Sequence, residues 1–233
     1  MGKRLKNIKS KIDLKKKYSL DEAIKILKEI DGAKFDETVE LHIKLGIDPK
    51  KADQNIRGSV VLPHGTGKSV RVAVIAKGEK LIEAKNSQAD LVGSNELIDE
   101  ISKGKTDFDV LVVTPDLMKD IAKLGKILGP KGLMPNPKTG TVSFDIEKTV
   151  KEIKSGRIEF KNDPSGIVHT VCGKKSFPQE KLVENADAVI DAILKLKPSS
   201  CKGRYIESIH ISTTMGPGLE IAVDKYIYDL REK

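Results

Sequence analysis

The chain has 233 residues, with 42 Lys and Arg against 34 Asp and Glu, a formal net charge of +8, and 38% hydrophobic residues. That length suits one or two domains, and the apolar share supplies a core rather than a disordered chain. The longest apolar runs, such as residues 72–76, fall far short of the ~20 residues of a membrane span, and no apolar stretch follows the basic start as a secretory signal requires. Two cysteines, Cys172 and Cys201, make neither a disulfide framework nor a four-ligand zinc set, so a soluble cytoplasmic protein is expected.

The basic surplus is clustered. Lys3, Arg4, Lys6, Lys9, Lys11, Lys15, Lys16 and Lys17 face Asp13 alone, and Lys119, Lys123, Lys126, Lys131 and Lys138 form a second stretch. Such clusters attract polyanions through counterion release, although a Lys-rich helix face that is simply solvated has the same composition.

Ser19-Leu20-Asp21-Glu22 is a capping box, and Leu20, Ala23, Ile24, Leu27 and Ile30 follow at helical spacing until Gly32. Strict alternation comes next. Phe35, Val39, Leu41, Ile43, Leu45 and Ile47 point one way, while Asp36, Thr38, Glu40, His42 and Lys44 point the other, as in an antiparallel strand with one wet face. Asp48-Pro49 turns the chain, and residues 56–62 return as a strand.

From Val70 the alternation stops. Residues 70–76, Arg71 apart, and 110–113 are apolar without alternation, as parallel strands covered on both faces are. Helical stretches at 79–86, 95–103, 116–128 and 147–154 and a short strand at 89–92 complete a small open α/β sheet. After Gly156 alternation resumes. Residues 158–160 and 167–172 are expected to form a hairpin around Asp163-Pro164-Ser165-Gly166. Ser176-Phe177-Pro178-Gln179 opens a helix, with Pro at its first position and Gln completing the cap; Leu182, Ala186, Val189, Ile190 and Ile193 make its buried stripe. Strands at 205–213 and 219–223 follow, joined through Thr214-Met215-Gly216-Pro217-Gly218.

Both ends share one style, and each alone is near the lower size limit for a stable core. The expected architecture is therefore α/β in two domains. A discontinuous α+β domain with an antiparallel sheet and helices (1–66 plus 157–233) is interrupted by an inserted α/β domain (67–156).

Enzyme chemistry finds no assembled site. Residues 62–69, ending Gly67-Lys68-Ser69, imitate a phosphate loop, but Leu62 stands where the first Gly belongs and the loop opens a strand rather than a helix. His42, His64, His169 and His210 are scattered without metal-ligand spacing, and Cys201, although followed by Lys202, reads as a bystander. Two stretches remain. Residues 121–137 run a basic helix into a loop shaped by Gly129, Pro130, Gly132, Pro135 and Pro137, which serves either structure or a partner contact. Thr213-Thr214-Met215-Gly216-Pro217-Gly218 is a turn whose hydroxyls and open backbone suit ribose and phosphate, and whose thioether suits the face of a base. If both chain ends form one sheet, Lys34-Phe35 comes near that turn.

The same residues carry a resemblance. Residues 34–40, 45–49, 53–58, 62–65, 128–137, 156–160 and 213–217, in that order and spacing, make the chain similar to the bacterial large-subunit ribosomal protein L-one family. The resemblance implies a discontinuous first domain around a Rossmann-like insert, no enzyme activity and no cofactor. It implies binding to the stalk region of large-subunit (23S) rRNA beside other large-subunit components, release of deacylated tRNA from the exit site, and repression of its own operon mRNA, by a ribosome-associated monomer. The RNA contacts it implies are Lys34, Phe35, Thr38, Lys161, His169, Ser208, Thr213, Thr214, Met215 and Gly216. Two other classes stay open on the residues alone: an NTPase using Lys68, and a protein-interaction scaffold using the basic surface for acidic partners.

Overall fold

The computed structural model describes residues 8, 12, 13, 16–30, 32–201, 203–223 and 226. Most of the basic N-terminal cluster and Lys202 lie outside them. In chain order the elements are α1 (Leu20–Glu29), β1 (Thr38–Leu45), β2 (Arg57–Val61), β3 (Val72–Ile75), α2 (Glu79–Asn86), β4 (Leu91–Gly93), α3 (Asn95–Ser102) and β5 (Val110–Val113). Then come α4 (Met118–Ala122), α5 (Gly125–Leu128), α6 (Ile146–Lys154), β6 (Arg157–Lys161), β7 (Ile167–Lys174), α7 (Gln179–Lys195), β8 (Ile206–Thr213) and β9 (Leu219–Ile221). The described residues fall into two compact units: those up to Gly67 together with those from Ile158 onward, and Lys68–Arg157 between them.

In the discontinuous unit an antiparallel sheet runs β7-β1-β8-β9. Alternation does the work here. Val39, Leu41, Ile43 and Leu45 of β1 are buried with Ile209 and Ile211 of β8, against Ala23, Ile24 and Leu27 of α1 and Ala186, Val189 and Ile190 of α7. At ~25 cal/mol per Å² of apolar surface, this one-sided layer is what holds the two chain ends together. The capping box forms as expected, with the Glu22 N–H donating to Ser19 Oγ (3.2 Å) and the Ser19 N–H to Glu22 Oε2 (3.4 Å).

The inserted unit holds a parallel sheet in the order β4-β3-β5. Every residue of β3 is buried because both faces are covered. Ala73, Ile75, Leu111 and Val113 pack on the side of Ile101 and Ile121; Val72, Val74 and Val112 pack on the side of Ala84, Ile146 and Val150. The expected fold class, an antiparallel sheet with helices plus a parallel α/β unit, is the one observed.

The strand expected at 56–62 forms as β2, which pairs with β6 in a separate two-stranded sheet. Three local expectations are corrected. The expected 158–172 hairpin is consequently split: β6 goes to β2, β7 goes to β1, and only an isolated bridge between Asn162 and Val168 joins them. The single helix over 116–128 is broken into a short 3-10 turn, α4 and α5, with the interruption falling just before Gly125, the residue of lowest helix propensity in that run after Pro. Pro178 occupies the N-cap of α7 instead of its first turn, and no side chain caps the helix. Ser176 Oγ donates to Asp36 Oδ2 (2.7 Å) and Gln179 Nε2 to the Asp21 carbonyl (3.2 Å). Both side chains tie α7 to neighbouring segments rather than to its own first turn.

Candidate functional site

The polar end of the four-stranded sheet is built where β1 begins and β8 ends. The β1–β8 register places Val39 opposite Thr213, so the chain just before β1 meets the turn just after β8. Thr214 N–H donates to the Thr38 carbonyl and Thr38 N–H donates to Thr214 Oγ1, each at 3.0 Å. Lys174, opposite Thr38 on β7, donates to Thr38 Oγ1 at 3.0 Å. On this polar frame sit two large apolar side chains in water, Phe35 at 56% and Met215 at 53% relative exposure. Phe35 therefore leaves the buried face of β1 on which its spacing placed it. The strand starts only at Thr38, and the segment before it turns outward.

The structure divides the expected contact residues. Lys34, Phe35, Thr38, Thr214, Met215 and Gly216 gather at this end; Lys34 and Phe35 are exposed and Thr38 is half-buried. Thr213 does not present its hydroxyl to solvent. It is 4% exposed and lies against Glu37 beneath the turn. Gly216 follows from that packing, because a Cβ there would stand 2.3 Å from Thr213 Oγ1. His169 and Ser208 lie on the open face of the same sheet, at the levels of His42 and Lys44. Those levels are roughly 13 and 20 Å along β1 from Thr38 at ~3.3 Å per residue. Lys161, exposed at the end of β6, belongs to the other sheet and neighbours His169 through the Asn162–Val168 bridge. Lys17 is paired with Glu220 at 3.0 Å.

Sequence reading missed three participants. Lys174 was hidden because only the β1–β7 register shows that it flanks Thr38; the Lys174-Lys175 pair ending a strand was the available signal. Glu37 was hidden as one acid among several. The third is a row of histidines. Strands β7, β1 and β8 bring His169, His42 and His210 side by side across the sheet, although 127 residues separate His42 from His169 in sequence. His42 Nδ1 lies 2.8 Å from His169 Nδ1, and His42 Nε2 lies 3.1 Å from Ser212 Oγ. A hydrogen bond between the two Nδ1 atoms needs one of them unprotonated.

Burial, and then the neighbouring His169 and His210, hold the His42 pKa below its ordinary 6.5, against the opposing pull of Glu40. Lys44 on β1, Asp163 beside His169, and Glu220 of β9 opposite His210 complete the charged surroundings. The unfolded chain thus takes up this proton before the folded one. The contribution of His42 is present above about pH 6.5 and is lost as pH falls below it. Denaturant titrations at pH 7.5 and 5.5 are expected to show a larger acid loss for the wild type than for His42→Gln. Equal losses would remove His42 as the cause.

The other reactive groups are engaged elsewhere. Cys172 is fully buried, which pushes its thiol up to about 12. The buried Cys201 donates to the Gly46 carbonyl at 3.3 Å. Lys68 of the phosphate-loop imitation pairs with Asp109 at 2.9 Å, and the segment leads into β3, so no helix N-terminus is offered to a phosphate. Among the described residues no helix is long and apolar enough to cross a membrane.

The relatives of this chain are ribosomal proteins. It is 57% identical to large ribosomal subunit protein uL1c of Porphyra purpurea over 222 residues, covering 95% of this chain and 96% of that protein. It is 54% identical to large ribosomal subunit protein uL1 of Thermus thermophilus over 221 residues (94% and 96%), and 52% identical to that of Kosmotoga olearia over 226 residues (97% and 98%). Residues 27–217 match the ribosomal protein L1p/L10e family, and the chain belongs to it.

Proposed function

We propose that this protein is a component of the large ribosomal subunit that binds the stalk region of its rRNA with the sheet end formed by Lys34, Phe35, Thr38, Thr214, Met215 and Gly216. The observation that carries the reading is the exposure of Phe35 and Met215 at one hydroxyl-rich end of the sheet, in a basic member of a ribosomal protein family. Folded RNA is recognised through ribose hydroxyls, phosphates and unstacked bases. Thr38 and Thr214 supply hydroxyls, Lys34 and Lys174 supply charge for phosphates, and Phe35 and Met215 supply apolar faces for splayed bases or sugars. His169, Ser208 and Lys161 extend the contact along the open face. The same grip serves a messenger that imitates the ribosomal site, and so represses the protein's own operon. On the ribosome it serves release of deacylated tRNA from the exit site.

Met215→Ala and Thr214→Ala are each expected to weaken binding to a stalk-region rRNA fragment by ~1–3 kcal/mol, the scale of a lost stacking contact or hydrogen bond. In filter binding an unrelated hairpin should be nearly unaffected. Equal losses on both RNAs would overturn the assignment of this surface. The rival scaffold reading is separated by copurification: association with large subunits should disappear on nuclease treatment, whereas binding through acidic proteins would survive it.

A further inference from the structure

Among the described residues Glu37 is the one acidic residue whose side chain is buried, at 1% exposure. Burying a carboxylate is unfavourable unless donors replace its water. Here they come from three separated segments. The Ala33 N–H donates to Oε1. The Met215 N–H, 178 positions away, donates to Oε2 at 3.1 Å. The Thr213 hydroxyl and the Lys175 charge complete the set, and the Lys175 N–H donates to the Glu37 carbonyl at 2.8 Å. Gly32 passes so close that a Cβ there would lie 3.1 Å from Oε1. Burial alone would raise the pKa of this carboxyl, but the hydrogen bonds from Thr213, Ala33 and Met215 and the charge of Lys175 outweigh it and hold the group below its usual 4.5.

A buried ion pair or charge is weak evidence of stabilisation, since apolar packing often does as well. What a carboxylate does that an apolar side chain cannot is accept main-chain donors from two loops at once and fix their relative position. The loops joined here are those that carry Phe35 and Met215, exposed side chains with little packing of their own to orient them.

We propose that Glu37 is the positioning residue of the recognition surface, an internal clamp that touches no RNA but sets the spacing between the Phe35 segment and the Met215 turn. The assignment rests on the RNA-binding reading above and adds to it a determinant of specificity outside the contact set.

The test uses the full chain as wild type, Glu37→Gln and Thr213→Val, with folding checked by thermal unfolding. Glu37→Gln keeps the size of the side chain but removes the charge and one acceptor. It is expected to lose about tenfold or more in affinity for a stalk-region rRNA fragment and to keep the wild-type affinity for an unrelated hairpin. Thr213→Val, which deletes one donor, should lose several-fold. The Met215 amide proton resonance should follow a carboxylate titration below pH 4.5 in the wild type and stay flat in Glu37→Gln. Wild-type affinity for the stalk fragment in a folded Glu37→Gln would overturn the clamp. Should the wild type itself show no preference for the stalk fragment, the RNA reading falls. The amide then decides the clamp alone: titration sustains it and a flat resonance overturns it.

Discussion

Asn185→Leu is expected to lower the stability of the discontinuous unit by about 3 kcal/mol, although leucine nearly matches asparagine in size. Asn185 is fully buried on α7. Its Oδ1 accepts from the His64 N–H at 3.1 Å, and its Nδ2 donates to the carbonyls of Gly65 (3.0 Å) and Cys172 (2.7 Å). Leucine would leave all three main-chain groups without this partner. The Cys172 carbonyl lies inside and would bear a penalty of ~1–3 kcal/mol, while the two loop groups recover part of theirs from water. The loop affected, with His64 also held by Glu184 at 2.5 Å, is the stretch through which the chain leaves for the inserted unit. No Trp occurs in the chain and no Tyr falls within Lys68–Arg157, whereas Tyr18, Tyr205 and Tyr226 lie in the discontinuous unit, so tyrosine emission is silent on the inserted unit. A urea midpoint equal to that of the wild type would show that the three bonds contribute nothing net.

Gly46→Ala should cost a similar amount, about 3 kcal/mol, by overpacking rather than by lost bonds. An added Cβ would stand 2.3 Å from the carbonyl oxygen of Arg204. The backbone there is pinned from both sides, with Gly46 N–H donating to the Tyr205 carbonyl at 2.8 Å and Cys201 Sγ to the Gly46 carbonyl. No flexible side chain can yield, so a strand end has to move. The site is roughly 25 Å along β1 from Thr38. The folded variant should therefore keep the proposed preference for stalk RNA, and the contrast with Met215→Ala separates stability from recognition. An unchanged urea midpoint would show that the chain relaxes around the methyl without strain.

Local pattern was a good guide wherever burial is periodic. The alternation of Val39, Leu41, Ile43 and Leu45 and the unbroken apolar run of β3 each announced their strand and their number of covered faces. Pattern was silent on partner choice. Nothing in residues 158–160 distinguishes an edge that pairs with β2 from one that folds back on β7, because that selection is made by packing across distant segments. The proposed recognition end is legible in part. The Thr214-Met215 turn and Lys34-Phe35 stand out by composition, and their proximity followed from supposing one sheet. The orientation of Thr213 toward Glu37, the flanking Lys174 and the histidine row depend on register, and a single shift of one residue would turn each of those side chains to the opposite face. Capping at Ser19 is legible because it is local; the expected cap at Ser176 does not form, and its hydroxyl donates instead to Asp36, 140 residues away.

The bond between Met215 and Glu37 also has a temporal meaning. Its two halves are translated 178 residues apart, with the whole inserted unit made in between. A nascent chain that has displayed Phe35 and Thr38 still lacks the turn that completes the surface. The clamp proposed for Glu37 therefore closes only after Met215 has joined the growing chain, well after Phe35 and Thr38 have been made.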